Sequence, residues 1–204
     1  MLPYRRWNRF LLLALATGLA ACDDQIDSEI RPPTELTILR LPPDHPPFEA
    51  TVVTFWARAN ESREGRIYFL DSEGNRGEEY ARLKIDSGSL LARPDGTQFA
   101  PEDSILITMS VADPTRVMIH LEPSGLTFRA DKPAELKLEY DEADPDYDDD
   151  GDVDGADDVA EQQLAIWRQA QPGDPYIRLG SVRFEDLREI EARLTSFSRY
   201  AIAY

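Results

Sequence analysis

The chain is 204 residues long and carries 22 basic against 39 acidic residues, a net charge of −17. Phosphate contact needs a basic face, so this balance argues against a nucleic-acid partner. Cys22 is the single cysteine, which excludes an internal disulfide framework.

In chain order, Met1–Ala21 reads as a targeting segment and not as fold. Arg5, Arg6 and Arg9 make a basic start. The short apolar run Phe10–Ala16 and then small residues follow. The run is too short for a comfortable membrane span. Leu19-Ala20-Ala21-Cys22 resembles a bacterial lipobox, which implies cleavage before Cys22 and lipidation of that cysteine. Asp23 and Asp24 resemble the inner-membrane retention signal of enteric lipoproteins; inner and outer membrane both remain open. Several acyl chains hold a protein on a membrane far better than one.

Residues 22–47 are expected to be a tether. Pro32-Pro33, Pro42-Pro43 and Pro46-Pro47 favour a semi-extended chain. His45, within it, is expected to be solvated.

Residues 48–204 read as one all-β domain, an antiparallel sandwich. Thr51–Ala57 is rich in β-branched and aromatic residues. Arg66–Leu70 and Tyr80–Ile85 flank the turn signal Ser72-Glu73-Gly74-Asn75 and predict a hairpin. Ser104–Val111 and Arg116–Leu121 flank Asp113-Pro114. Glu135–Tyr140 alternates. Leu164–Trp167 and Tyr176–Leu179 flank Gln171-Pro172-Gly173-Asp174. Glu189–Leu194 alternates again, and Tyr200–Tyr204 ends the chain.

The acidity is local. Without its three leader arginines the chain has 19 basic and 39 acidic residues, −20 net, and residues 141–161 hold 12 acids and no Lys or Arg. Within them, Asp146, Asp148 and Asp150 occupy positions 1, 3 and 5 of a twelve-residue loop. Gly151 stands at 6, Asp152 at 7, Val153 at 8, Asp154 at 9 and Asp157 at 12. That is the spacing of an EF-hand calcium loop. Position 7 ordinarily contributes its backbone carbonyl. Glycine at 6 permits the sharp bend that lets hard oxygen ligands converge. A second register starts at Asp150, with Gly155 at 6 and Glu161 at 12, but puts Asp157 where an aliphatic is expected. Solvated acidic runs without any fixed ion are the plain alternative. The loop lies at 144–158, and residues 158–166 can begin with a short exiting helix. The expected ion is Ca2+, and the expected effect is to order the connection between two strands.

Two resemblances bear on this domain. Leu91–Gly96, Leu121–Phe128 with Lys132–Leu136, Trp167 and the ending Phe197-Ser198-Arg199-Tyr200-Ala201 resemble, in order, the β-sandwich family shared by zonula occludens and Unc-five proteins. Some animal members cleave themselves at a His-Phe-Ser run. Here it is Ser196-Phe197-Ser198, so Ser198 lacks a base, and Phe197 and Tyr200 are expected in the core. The calcium loop resembles that of dockerins, which also ends on aspartate, but dockerins pair two loops.

The sequence lacks Gly-x-Ser-x-Gly, His-Glu-x-x-His and a phosphate-binding glycine loop. His120 is the only histidine after residue 47. The leading expectation is therefore a non-catalytic, calcium-stabilised interaction module on a lipid anchor in a bacterial envelope. Its partner is a protein or a polysaccharide. A carbohydrate-binding module is the second expectation, with Trp56, Trp167, Tyr176 and Tyr147 available for stacking. Against it stands the expectation that Trp56 and Trp167 are core residues.

Overall fold

A computed structural model describes residues 29–204. The leader and Cys22 lie outside the described residues. Fourteen strands and one α-helix follow in chain order. They are β1 (Ile30–Arg31), β2 (Val52–Arg58), β3 (Arg63–Leu70), β4 (Arg76–Ile85), β5 (Leu90–Ala92), β6 (Ser104–Val111) and β7 (Met118–Glu122). Then come β8 (Thr127–Phe128), β9 (Ala134–Glu139), α1 (Gly155–Gln163), β10 (Ala165–Gln169), β11 (Tyr176–Arg178), β12 (Ser181–Phe184), β13 (Glu189–Leu194) and β14 (Arg199–Ala203).

The fold is an all-β antiparallel sandwich. One sheet has seven strands in the order β1-β11-β10-β14-β7-β6-β2, and the other has five, β12-β13-β9-β4-β3. A two-stranded ribbon, β5 with β8, accompanies them. Alternation sorts the residues between faces. Leu136 and Leu138 on β9, Ile190, Ala192 and Leu194 on β13, and Leu83 and Ile85 on β4 point into the core. Ile107 and Met109 on β6, Ile119 and Leu121 on β7, and Tyr200 and Ile202 on β14 meet them from the seven-stranded sheet. Phe197 is buried with them. At Gly65 the sheets approach so closely that a Cβ would stand 2.5 Å from Phe55 Cε1, so only glycine fits. Tyr80 ties the layers with a polar contact. Its hydroxyl accepts the Met118 N–H at 2.9 Å and lies 3.1 Å from the Met118 carbonyl oxygen.

The expected strands all appear, with ends displaced by a few residues. β1, β5, β8 and β12 fall outside the expected strands, and β12 is the longest of them. It is four residues long, lies at a sheet edge, and turns Val182 and Phe184 to solvent, so no buried periodicity marks it.

Residues 29–47 differ from the expected tether. Leu36, Ile38, Leu39 and Leu41 are all buried. The Leu39 N–H donates to the Ile202 carbonyl at 3.0 Å, and the Val117 N–H donates to the Leu39 carbonyl at 2.9 Å. This arm therefore inserts between the ends of β14 and β7. The proline pairs sit outside its paired stretch and do not prevent extended pairing. Leu39 and Leu41 join the interior of the sandwich. Leu36 and Ile38 instead cover the outer face of the seven-stranded sheet, over Trp167, Ala201 and Ala203. His45 is not simply solvated either. It is partly buried, and its ring centroid lies 5.5 Å from that of Phe48.

The two tryptophans separate. Trp167 is fully buried beneath the arm, and its indole N–H donates to the Ala203 carbonyl at 2.9 Å. Trp56 is 57% exposed on edge strand β2, which overturns its expected place in the core. Its neighbours Phe55 and Ala57 take the inward positions.

If the arm belongs to the fold, truncating it must destabilise the whole domain. Leu39→Ala is expected to lower unfolding free energy by about 2–5 kcal/mol, read by urea denaturation. Val52→Ala, on an exposed position of β2, is expected to change it by less than about 0.5 kcal/mol. Equal effects would place the arm outside the cooperative unit.

Candidate metal centre

The acidic connection leaves β9 at Tyr140 and returns through α1 to β10. Its two aromatic residues hold it to the sandwich. Tyr140 and Tyr147 are buried, their ring centroids 6.4 Å apart in an edge-on arrangement. Ala143, Ala160 and Leu164 join the same core.

The carboxylate of Asp157 organises the loop. The residue is 3% exposed. Its Oδ1 accepts the Tyr147 N–H at 2.6 Å and the Asp148 N–H at 3.2 Å, and its Oδ2 accepts the Asp154 N–H at 2.7 Å. Asp157 is also the third residue of α1, and Asp154 caps that helix, its side chain accepting the Ala156 N–H at 2.7 Å. The pair forms a reciprocal capping box. Asp157 and Asp158 in the first turn suit the positive end of the helix dipole. The backbone N–H of Asp154, with those of Asp148 and Tyr147, holds the Asp157 carboxyl below the ordinary aspartate range despite its burial.

Asp146 works in the same way from the opposite side. Its Oδ1 accepts the Asp150 N–H and its Oδ2 the Gly151 N–H, both at 3.1 Å. Gly151 takes φ +98°, a left-handed conformation that a side chain would strain. The anticipated glycine bend is therefore present.

One oxygen each from Asp146, Asp148 and Asp157 lies within 4.8 Å of the others. That spread is no wider than two calcium–oxygen bonds of about 2.4 Å placed end to end. The donors are all carboxylate oxygens, which suits a hard cation and not zinc or copper. The residues thus fit a calcium-type ion. Partial desolvation and the charges of Asp150, Asp157 and Asp146 push the Asp148 carboxyl above its ordinary range.

Asp150, Asp152 and Asp154 do not join the three. Asp150 Oδ1 accepts the Asp152 N–H at 3.0 Å, Asp154 serves as the helix cap, and Asp152 is exposed. Short-range turn bonds hold Asp150 and Asp154 where they are. Val153 at position 8 is 66% exposed, unlike a packed aliphatic. The alternative register fails at its last position. Glu161 lies inside α1, accepts the Tyr140 hydroxyl at 2.9 Å and pairs with Arg183 at 3.3 Å.

Sequence reasoning missed Arg40. Its guanidinium reaches from the arm to Asp149 at 2.6 Å, Asp146 at 3.6 Å and Asp144 at 3.8 Å. A pairing across more than a hundred residues leaves no local signature. A basic residue within the apolar stretch Leu36–Leu41 was the available hint.

No family model, curated protein or solved structure matches the chain.

The two carboxylates shifted in opposite directions set opposite pH behaviour. Asp157 is depressed, so its contribution to stability is complete above the ordinary aspartate value of 3.8 and fades as pH falls through its lower folded value. Asp148 is raised, so its ionised form weighs against folding at neutral pH and that penalty vanishes in acid. In metal-free buffer at neutral pH, Asp157→Asn is expected to lower the melting temperature and Asp148→Asn to raise it. Both differences are expected to shrink toward strongly acidic pH, as followed by circular-dichroism melts.

Proposed function

We propose that the protein is a membrane-anchored, calcium-binding, non-catalytic interaction module of a bacterial envelope. The observation that carries the metal part is the convergence of Asp146, Asp148 and Asp157 at the mouth of a capped helix. Calcium there neutralises carboxylates that otherwise repel one another. It also ties the loop after β9 to the helix before β10. Exported modules bind calcium at about 10⁻⁴–10⁻³ M, matched to calcium-rich surroundings. The anchoring part is supported by the leader pattern and the run ending at Cys22. An interaction role is supported by the sandwich architecture, whose loops and sheet edges can offer a binding surface.

Carbohydrate binding keeps a narrower basis as a second reading. Trp167, Tyr176 and Tyr147 are buried and cannot stack on a sugar. Trp56 stands exposed opposite Leu106, itself 45% exposed. Loss of glycan-array binding on Trp56→Ala, with the fold intact, would favour this reading.

The calcium reading is tested by titration calorimetry of the metal-free chain. Saturable heat with Kd of about 10⁻⁴–10⁻³ M is expected, with a rise in melting temperature that chelator reverses. Asp146→Asn and Asp148→Asn are each expected to remove the heat. No heat at millimolar calcium would defeat the proposal.

A further inference from the structure

The outer face of the seven-stranded sheet holds a cleft to which the acidic loop contributes nothing. Its volume is about 540 Å³, inside the range of small-molecule sites, roughly 300–1,000 Å³. Three adjacent strands lay a polar row across its floor. Ser110 on β6 stands opposite His120 on β7, and His120 stands opposite Arg199 on β14. Glu122, two residues beyond His120, shares that face of β7. Ser124 joins the wall, its Oγ 3.2 Å from His120 Nε2. Gln171, from the turn between β10 and β11, closes the opposite side.

Arg199 is the informative residue. The chain has far more carboxylates than bases, and most arginines among the described residues engage one. Arg199 forms no ion pair among the described residues. Its Nη2 lies 3.5 Å from the sulfur of Met118, a weak acceptor. Asp113 feels its charge and Glu122 lines the same cleft, but neither stands within ion-pair distance, so the guanidinium keeps a planar fork that matches a carboxylate from outside. The neighbouring hydroxyls of Ser110 and Ser124 add neutral hydrogen-bonding groups. Glu122 restricts what can enter. It lies about 6–7 Å along the strand from the His120–Arg199 row. Its charge opposes a phosphate dianion and favours a positive group at the far end of the ligand.

We propose that this cleft binds a small zwitterion of amino-acid to dipeptide size. Its carboxylate sits on Arg199 and its ammonium faces Glu122. The site is independent of the metal loop and stands or falls separately from the calcium reading.

Glycylglycine, acetate, glycinamide and inorganic phosphate are titrated into the full chain, in buffer stripped of metal by chelating resin. The readout is the imidazole proton resonances. The chain has two histidines, so His120 reports the cleft and His45 serves as the internal control. Glycylglycine is expected to move the His120 signal saturably and to bind more tightly than acetate. Glycinamide and phosphate are expected to leave it in place. Arg199→Lys is expected to weaken glycylglycine about tenfold, because a point charge replaces a bidentate fork. Glu122→Gln is expected to reduce glycylglycine to the level of acetate. Equal response to glycylglycine and glycinamide, preference for phosphate, or an unchanged affinity in a folded Arg199→Lys would each overturn the proposal. Should Arg199→Lys fail to fold, Glu122→Gln decides: an undiminished preference for glycylglycine over acetate would overturn it.

Discussion

Like charges crowded into one inter-strand connection are the constraint that shapes this molecule. Twelve acids fall between residues 141 and 161. Such a segment folds only if something answers each carboxylate. Backbone N–H groups answer Asp146 and Asp157. The helix N-terminus receives Asp154, Asp157 and Asp158. Arg40 meets Asp144, Asp146 and Asp149 from across the sequence. Asp141, Glu142 and Asp148 remain opposed in their ionised forms, and of these Asp148 belongs to the cluster where a cation would complete the balance. The loop is thus built by partial neutralisation, and part of the remaining negative charge gathers at the Asp146–Asp148–Asp157 cluster.

The arm connects this charge balance to the core. Arg40 lies between Leu39 and Leu41, both packed into the sandwich. Extended backbone sends alternate side chains to opposite sides, so two inward leucines place the arginine outward, toward the acids. On its other stretch the arm roofs Trp167, whose ring also receives Arg31 at 5.5 Å and Arg178 at 5.9 Å. Glu29 links those two arginines, 2.5 Å from Arg31 and 3.2 Å from Arg178. The seven-stranded sheet is therefore covered on both faces at Trp167 of β10 and at Ala201 and Ala203 of β14, but open at the Arg199 end of β14 and at β2 and β6, where Trp56 and Leu106 meet solvent.

Local pattern carried much of this to the sequence reader. β6, β9 and β13 alternate cleanly because one side of each meets the core. The aspartate spacing put Asp146, Asp148 and Asp157 in one twelve-residue loop with Asp150, Asp152 and Asp154, without saying which of the six would converge. The remaining acids could not be separated in advance. Asp150 turns to the Asp152 N–H, a local bond that the spacing alone does not distinguish from an ion-facing position. The arm was missed because its prolines outweighed the apolar run Leu36-Thr37-Ile38-Leu39-Arg40-Leu41 in the reading. Trp56 was misplaced because composition marks a strand without saying which face looks inward, and an edge strand relaxes that choice. The Ser110–His120–Arg199 row was invisible, because strand register across three segments creates it.

The docking of the arm also fixes how far any anchor at Cys22 would let the body stand from a membrane. Glu29 is already fixed to the body, its carbonyl accepting the Arg178 N–H at 2.8 Å. A lipid on Cys22 would be joined to that point by seven peptide steps, at most about 25 Å when fully stretched. A body whose residues 29–204 carry 19 basic and 36 acidic residues, −17 net, would then ride within a few screening lengths, each about 8 Å, of acidic headgroups. Repulsion would turn its acidic side away from the bilayer, toward whatever shares the compartment. Partners would have to come to the membrane, because so short a connection cannot carry the body out to them.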